Sequence, residues 1–141
     1  MGSWQETGMI ALPADGPVSW TAREDAAEAA AVILASRGAY EGPVTLTASA
    51  APTFQDLAQI ATELTGRTIE PRVIDEDDWV AAQTGTGQTE SATRFTLGIF
   101  QAAHKGFFAG VDPLLGTLLG REPSSVRDAL ARLISTQRRH E

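Results

Sequence analysis

His104 is the side chain in this sequence best suited to moving a proton, because an imidazole titrates near neutrality. Its place beside Lys105, near the end of an apolar-patterned stretch, offers a plainer role too, since a cation there complements a helix dipole. Arg23 is the natural companion for acid–base work, a permanent cation able to hold an anion or a developing oxyanion. The other histidine, His140, lies far from the first and completes no H-x-x-x-H ligand pair. Cysteine is absent, which removes disulfides, thiol catalysis and thiolate metal sites. No G-x-S-x-G nucleophile elbow occurs either.

Two further stretches invite chemistry and have simpler explanations. Asp75-Glu-Asp-Asp78 is an acidic run, but a calcium loop spreads its ligands over about twelve residues around a glycine turn. Acids at the start of a helix account for it better. Gly85-Thr-Gly87 suggests a phosphate loop, which requires a buried strand before the glycines and a helix N-terminus behind them. The preceding Trp79-Val-Ala-Ala-Gln83 reads as helix and no third glycine follows. An ordinary helix–helix loop is expected there.

The elements that must position these residues follow from patterning. Met9–Leu12 and Val18–Thr21 are short apolar runs joined through Pro13 and Asp15-Gly16, which predicts a small hairpin or strand pair. An alanine-rich helix then runs to about Ser36, with Gly38 as its stop; Thr21 or Asp25 is available to satisfy its first amides. Small side chains on most of its faces allow close approach to another element, usually a buried position. Pro43–Thr47 reads as a β-branched strand. Thr53-Phe-Gln-Asp56 resembles a capping box opening a helix with Leu57, Ile60, Ala61 and Leu64 at helical spacing. Ile69–Ile74 is a strand that Pro71 confines to an edge. Strand, helix and strand in this rhythm predict a βαβ unit with a parallel pair.

From Asp75 onward the pattern is helical. A short helix follows the acids, and Ser91 to about Lys105 forms a longer one with Phe95, Ile99 and Ala102 or Ala103 on one face. Asp112-Pro113 opens Leu114–Leu119. Ser124 or Ser125 caps a last helix with Val126, Leu130, Leu133 and Ile134 on its apolar face. Adjacent aromatics at Phe107 and Phe108 do not both face one core easily, so one of them is a candidate pocket or interface residue. The expected architecture is α/β: a small sheet with a βαβ unit and a helical C-terminal half. It forms a single domain over residues 1–141, with 1–7 as tag or disordered chain and 136–141 as a solvated tail.

Composition narrows the partners. With 141 residues, 43% of them hydrophobic and 21% charged, the chain is long enough for one real core. A net charge of −7 argues against binding a nucleic-acid backbone. The one basic cluster, Arg138-Arg139-His140, reads as part of the solvated tail. No apolar run approaches the roughly 18 residues of a membrane span, and residues 1–15 lack the regions of a signal peptide. A cytoplasmic protein is expected.

Gly8-Met-Ile-Ala-Leu-Pro13, followed by the stretch from Gly16-Pro-Val-Ser-Trp20 through Thr21-Ala-Arg-Glu-Asp25 to Ala31, resembles the second half of NmrA-like atypical short-chain dehydrogenases. The NAD(P)H:quinone oxidoreductase type is the nearest in pattern. Val44-Thr-Leu-Thr47, Thr53-Phe-Gln-Asp-Leu-Ala58 and Leu119-Gly-Arg-Glu-Pro-Ser124 continue it in order, so the resemblance runs from about residue 8 to about residue 134. It implies a substrate-binding half that closes over a nicotinamide held by an N-terminal Rossmann domain. This sequence has no strand-linked G-x-x-G-x-x-G and no Tyr-x-x-x-Lys pair, Tyr40 being its sole tyrosine.

The expectations that follow are specific. The chain alone binds no cofactor, although NAD(P) is implied for the intact family, and it holds no metal. It binds a small hydrophobic molecule through Trp20, Phe95, Ile99, His104 and Phe108, and is not redox-active alone. Alternatives are a free-standing cofactor-independent cyclase or isomerase using His104 and Arg23, or a non-catalytic regulatory module, since NmrA-like proteins include redox sensors. Detached from a Rossmann half, its alanine-rich helix and the runs at 9–12 and 18–21 expose an apolar face. A homodimer or a Rossmann-domain partner is expected to cover it.

Overall fold

The parallel strand pair comes from two segments far apart in the chain. In the computed structural model, which describes residues 4–137, β1 (Met9–Leu12) pairs in parallel with β2 (Glu70–Val73) in the register Met9↔Glu70 to Leu12↔Val73. Ile10 and Leu12 are buried and Met9 and Ala11 exposed, the alternation of a strand with one covered face. Glu70 and Ile74 donate backbone hydrogen bonds to Gly8 and Leu12 of the β1 segment, both at 2.9 Å. Pro71 lies out of phase with those donors, so its missing N–H costs the ladder nothing. The expected edge strand and parallel pair are both present.

The other partners expected for these strands are not. Val18–Thr21 forms no strand and there is no hairpin with Met9–Leu12. Pro43–Thr47 is also irregular, so the first strand of the βαβ unit is β1. Hydroxyl groups bind this part of the chain in place of a ladder. Thr21 Oγ1 accepts from the Ala48 amide at 3.1 Å, and Thr47 Oγ1 accepts from the Asp112 amide at 2.7 Å. β propensity alone does not make a strand without a neighbour whose free edge is in reach.

The chain divides into two compact units. The first combines the described residues up to Val18 with Pro52–Ala109. It contains α1 (Trp4–Thr7), the strand pair, α3 (Phe54–Thr65), α4 (Glu76–Gly85) and α5 (Glu90–His104). Trp4–Thr7, expected as tag or disordered chain, is a turn of helix with Trp4 buried. At α3 the capping box is reciprocal: Thr53 Oγ1 accepts from the Asp56 amide, and the Asp56 carboxylate accepts from the Thr53 amide at 2.8 Å. Phe54, Leu57, Ala58 and Ala61 form its buried face, and Gly66, at φ 69°, ends it in the left-handed region that glycine enters without strain. Asp75 caps α4 through the Asp77 and Asp78 amides. Trp79 then packs edge-on to Phe100 of α5, with ring centroids 5.5 Å apart, and Phe54 packs on the same ring at 5.6 Å.

The expected apolar face of α5 is not the one that packs. Thr93, Leu97 and Ala103 are buried, whereas Phe95 and Ile99 are 74% and 45% exposed. Thr93 is admitted to the core because its hydroxyl donates to the Thr89 carbonyl one turn earlier, at 3.0 Å. The packed face carries Thr93, Leu97 and Phe100, offset from the stripe of Phe95 and Ile99.

The second unit combines Ser19–Ala51 with the described residues from Gly110 onward. Here α2 (Arg23–Ala35) lies against α6 (Leu114–Leu119), and α7 (Val126–Gln137) follows. Ala29, with no exposed surface, meets Leu115 and Leu118, and Ile33, Tyr40, Leu46, Leu114 and Leu119 pack around them. The alanine-rich helix is less buried than its composition predicts, since Asp25 and Ala29 alone are fully covered and Leu34 is 83% exposed. Ser125 and Asp128 form a second capping box at α7, whose Leu130 and Ile134 are buried. The Arg138-Arg139-His140 cluster lies outside the described residues. None of the described helices is long and apolar enough to cross a membrane.

Candidate functional site

In the first unit the Asp15-Gly16 turn joins the start of α3 to the end of α5. The Asp15 carboxylate accepts from the Phe54 and Gln55 amides at 2.8 and 3.1 Å, filling the N-terminus of α3 from 39 residues away. Its backbone carbonyl stands 2.8 Å from Nδ1 of His104. A carbonyl only accepts, so Nδ1 carries the proton and Nε2 of the neutral ring is the basic nitrogen. Gly16 is buried directly against the Ala103 carbonyl, leaving no room for a side chain. His104 is thus an exposed imidazole with a fixed tautomer, an arrangement able to accept a proton or a hydrogen bond at Nε2.

Phe95 and Ile99 are four residues apart and share an exposed stripe of α5. His104 lies nine residues from Phe95, which at 3.6 residues per turn places it on the opposite side of that helix. Phe108 is 40% exposed and Phe107 is 75% exposed, beyond the helix end. Four of the anticipated site residues therefore belong to the first unit, on two sides of one helix. Trp20 and Arg23 belong to the second, Trp20 at 41% exposure and Arg23 exposed at the first position of α2.

In the second unit the key residue is Asp25. Rather than capping its own helix, it accepts from Arg121 Nη2 at 2.8 Å and from the Ser124 amide at 2.6 Å; Arg121 also reaches Glu28 at 2.6 Å. Burial alone would raise the Asp25 carboxyl, but the Ser124 amide and the Arg121 guanidinium together hold it below the usual carboxylate range. Residue type and position near a helix start suggested a dipole or capping role on its own helix for this acid. The signal for more was Arg121 in the Leu119-Gly-Arg motif, a cation with two acids of suitable spacing on α2. Asp15 was visible as half of a turn dipeptide, and nothing in its spacing disclosed the partners on α3 and α5.

A cleft of about 640 Å³ opens within the second unit beside α6. Ser49, Asp112, Thr117, Gly120, Arg121 and Glu122 contribute to its lining, and none of the anticipated site residues does. Among the described residues there is no cluster of acids and histidines able to hold a metal ion.

The architecture is similar to part of several solved α/β oxidoreductases. No family model matches the sequence. It is 29% identical over 140 residues to an NmrA-like family domain-containing oxidoreductase of Aspergillus flavus, an alignment covering 97% of this chain and 46% of that protein. The fold matches an NADPH-dependent quinone oxidoreductase of Escherichia coli, solved with NADPH, at a TM-score of 0.84 and 25% identity, covering 94% of this chain and 47% of that one. It matches a triphenylmethane reductase of a Citrobacter species equally well, at 0.84 and 25%, covering 92% and 45%. The chain is thus similar to an NmrA-like oxidoreductase and spans about half the length of the relatives it matches.

The Gly85–Gly87 loop and the helix starts around it do not fit a dinucleotide. Gly85 closes α4 and Gly87 follows a helix, not a strand. In the first unit the N-terminal amides of the three longer helices are taken by the protein's own side chains: Asp15 and the Thr53–Asp56 box at α3, Asp75 at α4, and Thr89 at α5. Carboxylates at two of these helix starts repel a phosphate rather than attract it.

Proposed function

We propose that this chain is the substrate-binding portion of an NmrA-like NAD(P)-dependent oxidoreductase, and that it carries out no redox chemistry by itself. The observation behind this reading is a fold match over 94% of the chain to a quinone oxidoreductase of which it spans only 47%. The ligand is a small hydrophobic molecule. In the first unit His104 Nε2 offers it a hydrogen-bond acceptor and Phe108 apolar contact; Phe95 and Ile99, on the opposite side of α5, and Trp20, in the second unit, are separate candidate positions. NAD(P)H, held by a Rossmann-type domain, supplies the hydride, while this chain binds and orients the acceptor. That domain or a second copy of this chain covers the apolar face that includes Val32 and Leu34, in a cytoplasmic setting.

A titration separates this from its rivals. The chain alone is expected to show quenching of its tryptophan fluorescence by menadione, saturating with concentration, and no saturable response to NADPH. The Escherichia coli quinone oxidoreductase serves as the positive control for NADPH. Micromolar NADPH binding by this chain would overturn the reading. The fixed tautomer of His104 favours a second possibility, acid–base catalysis without cofactor. Turnover of a ligand by the chain alone, lost in His104→Ala, would establish it.

A further inference from the structure

We propose that the cleft beside α6 is a binding site for a small organic ammonium ion, separate from the ligand contacts proposed above. Its volume, about 640 Å³, lies within the range of small-molecule pockets. The argument rests on which hydrogen-bonding capacity around the cleft is already committed. Ser49 Oγ spends its proton on Glu122 Oε2 at 2.8 Å, and Thr117 Oγ1 spends its proton on the Pro113 carbonyl at 3.1 Å. Both hydroxyls therefore retain only acceptor capacity.

The charges point the same way. Arg121 is the sole cation among the lining residues, and its charge is already matched by Asp25 and Glu28, which lie outside the lining. Among the described residues Asp112 and Glu122 have no cationic partner within ion-pair distance. Asp112 Oδ1 accepts from the Leu114 amide at 2.8 Å, and Glu122 Oε2 accepts from Ser49, which leaves each carboxylate one oxygen without a protein donor. A ligand complementary to this lining donates hydrogen bonds and carries positive charge. Val111, 53% exposed, and Pro113 give the wall an apolar part, so the cation bears a short hydrocarbon portion. Gly120, whose missing side chain would have no atom within 4 Å, keeps the cleft open at its edge.

The test uses phenethylammonium, with 2-phenylethanol and 3-phenylpropionate as neutral and anionic counterparts of similar shape. Amide shifts are followed by nuclear magnetic resonance on the full chain. The ammonium compound is expected to shift the Gly116, Thr117 and Gly120 amides saturably and to bind at least tenfold more tightly than the alcohol. Glu122→Gln retains an acceptor for Ser49 and Asp112→Asn one for Leu114, so both variants keep the local structure; each is expected to weaken the ammonium at least fivefold. Equal binding of alcohol and ammonium, tighter binding of the carboxylate, absence of saturation, or shifts confined to other residues would each overturn the proposal. Because menadione binding is read separately by tryptophan quenching, failure of either reading leaves the other standing.

Discussion

Substituting Gly16 with alanine should damage the first unit more than any other single-methyl change. A Cβ there would stand 2.6 Å from the His104 amide nitrogen and closer still to the Ala103 carbonyl, where ordinary contact begins at 3.4 Å. The obstructing atoms are helix backbone, which does not yield, so the turn must retreat by roughly 1 Å. That displacement removes Asp15 from three partners, the Phe54 and Gln55 amides and the His104 ring. At about 1 kcal/mol for each bond, less about 0.5 kcal/mol returned by the stiffer unfolded chain, the loss is about 2.5 kcal/mol.

Urea unfolding is the assay. With a slope of about 1.5 kcal/mol per molar for a chain of this size, the midpoint should fall by more than about 1 M at unchanged slope. His104→Ala provides the internal control, because it removes a single exposed bond and should cost less than about 1 kcal/mol. A loss below about 1 kcal/mol in Gly16→Ala, or equal losses in the two variants, would refute the idea that this turn joins α3 to α5.

In the second unit, Asp25→Ala should cost about 2 kcal/mol by leaving the Ser124 amide without its acceptor, and faster hydrogen exchange at Ser124 is the specific readout; unchanged exchange would sink the assignment. Stability should fall on acidification, because Asp25, Asp56 and Asp128 are all held below the ordinary carboxylate value in the folded state. Their contribution is complete above the unfolded value near pH 4 and is lost as pH drops through the lower folded values; Asp25→Asn should flatten that acid limb, and an unchanged limb would show that Asp25 does not contribute. Nitrogen shifts of His104 should report the Nδ1-protonated tautomer at alkaline pH, and an Nε2-protonated ring would contradict the bond to Asp15.

Much of the fold was legible because local chemistry marks it. Thr53–Asp56, Asp75 and Ser125–Asp128 placed three helix starts through short-range side-chain bonds, and Gly66 placed an end. The strand pairing was legible in kind but not in partner. Pro43–Thr47 has the better β composition, yet Met9–Leu12 occupies the edge of β2, and composition carries no information about which edge is free. The face of α5 was misread for a related reason: Phe95 and Ile99 fit helical spacing as well as Leu97 and Phe100 do, and Thr93 joins the latter in the core once its hydroxyl is satisfied within the helix.

The candidate site was less legible because the residues that build it act through long-range contacts. Asp15 and Asp25 look like turn and dipole acids, and in the fold each reaches from one segment to amides far along the chain. Each thereby fills backbone amides that are otherwise free to bind an anion. Asp15 occupies the start of α3 and, through its carbonyl, fixes the proton of His104 on the inner nitrogen. Asp25 holds the segment leading into α7 and neutralises Arg121, the one cation among the residues lining the cleft. The same two acids that secure the structure thus give the described surface its chemical character: a basic imidazole nitrogen on one unit, and on the other a cleft that accepts hydrogen bonds and carries unmatched negative charge. A phosphate-bearing cofactor finds little on either. The hydrophobic ligand proposed above belongs to the first, and the proposed small cation to the second.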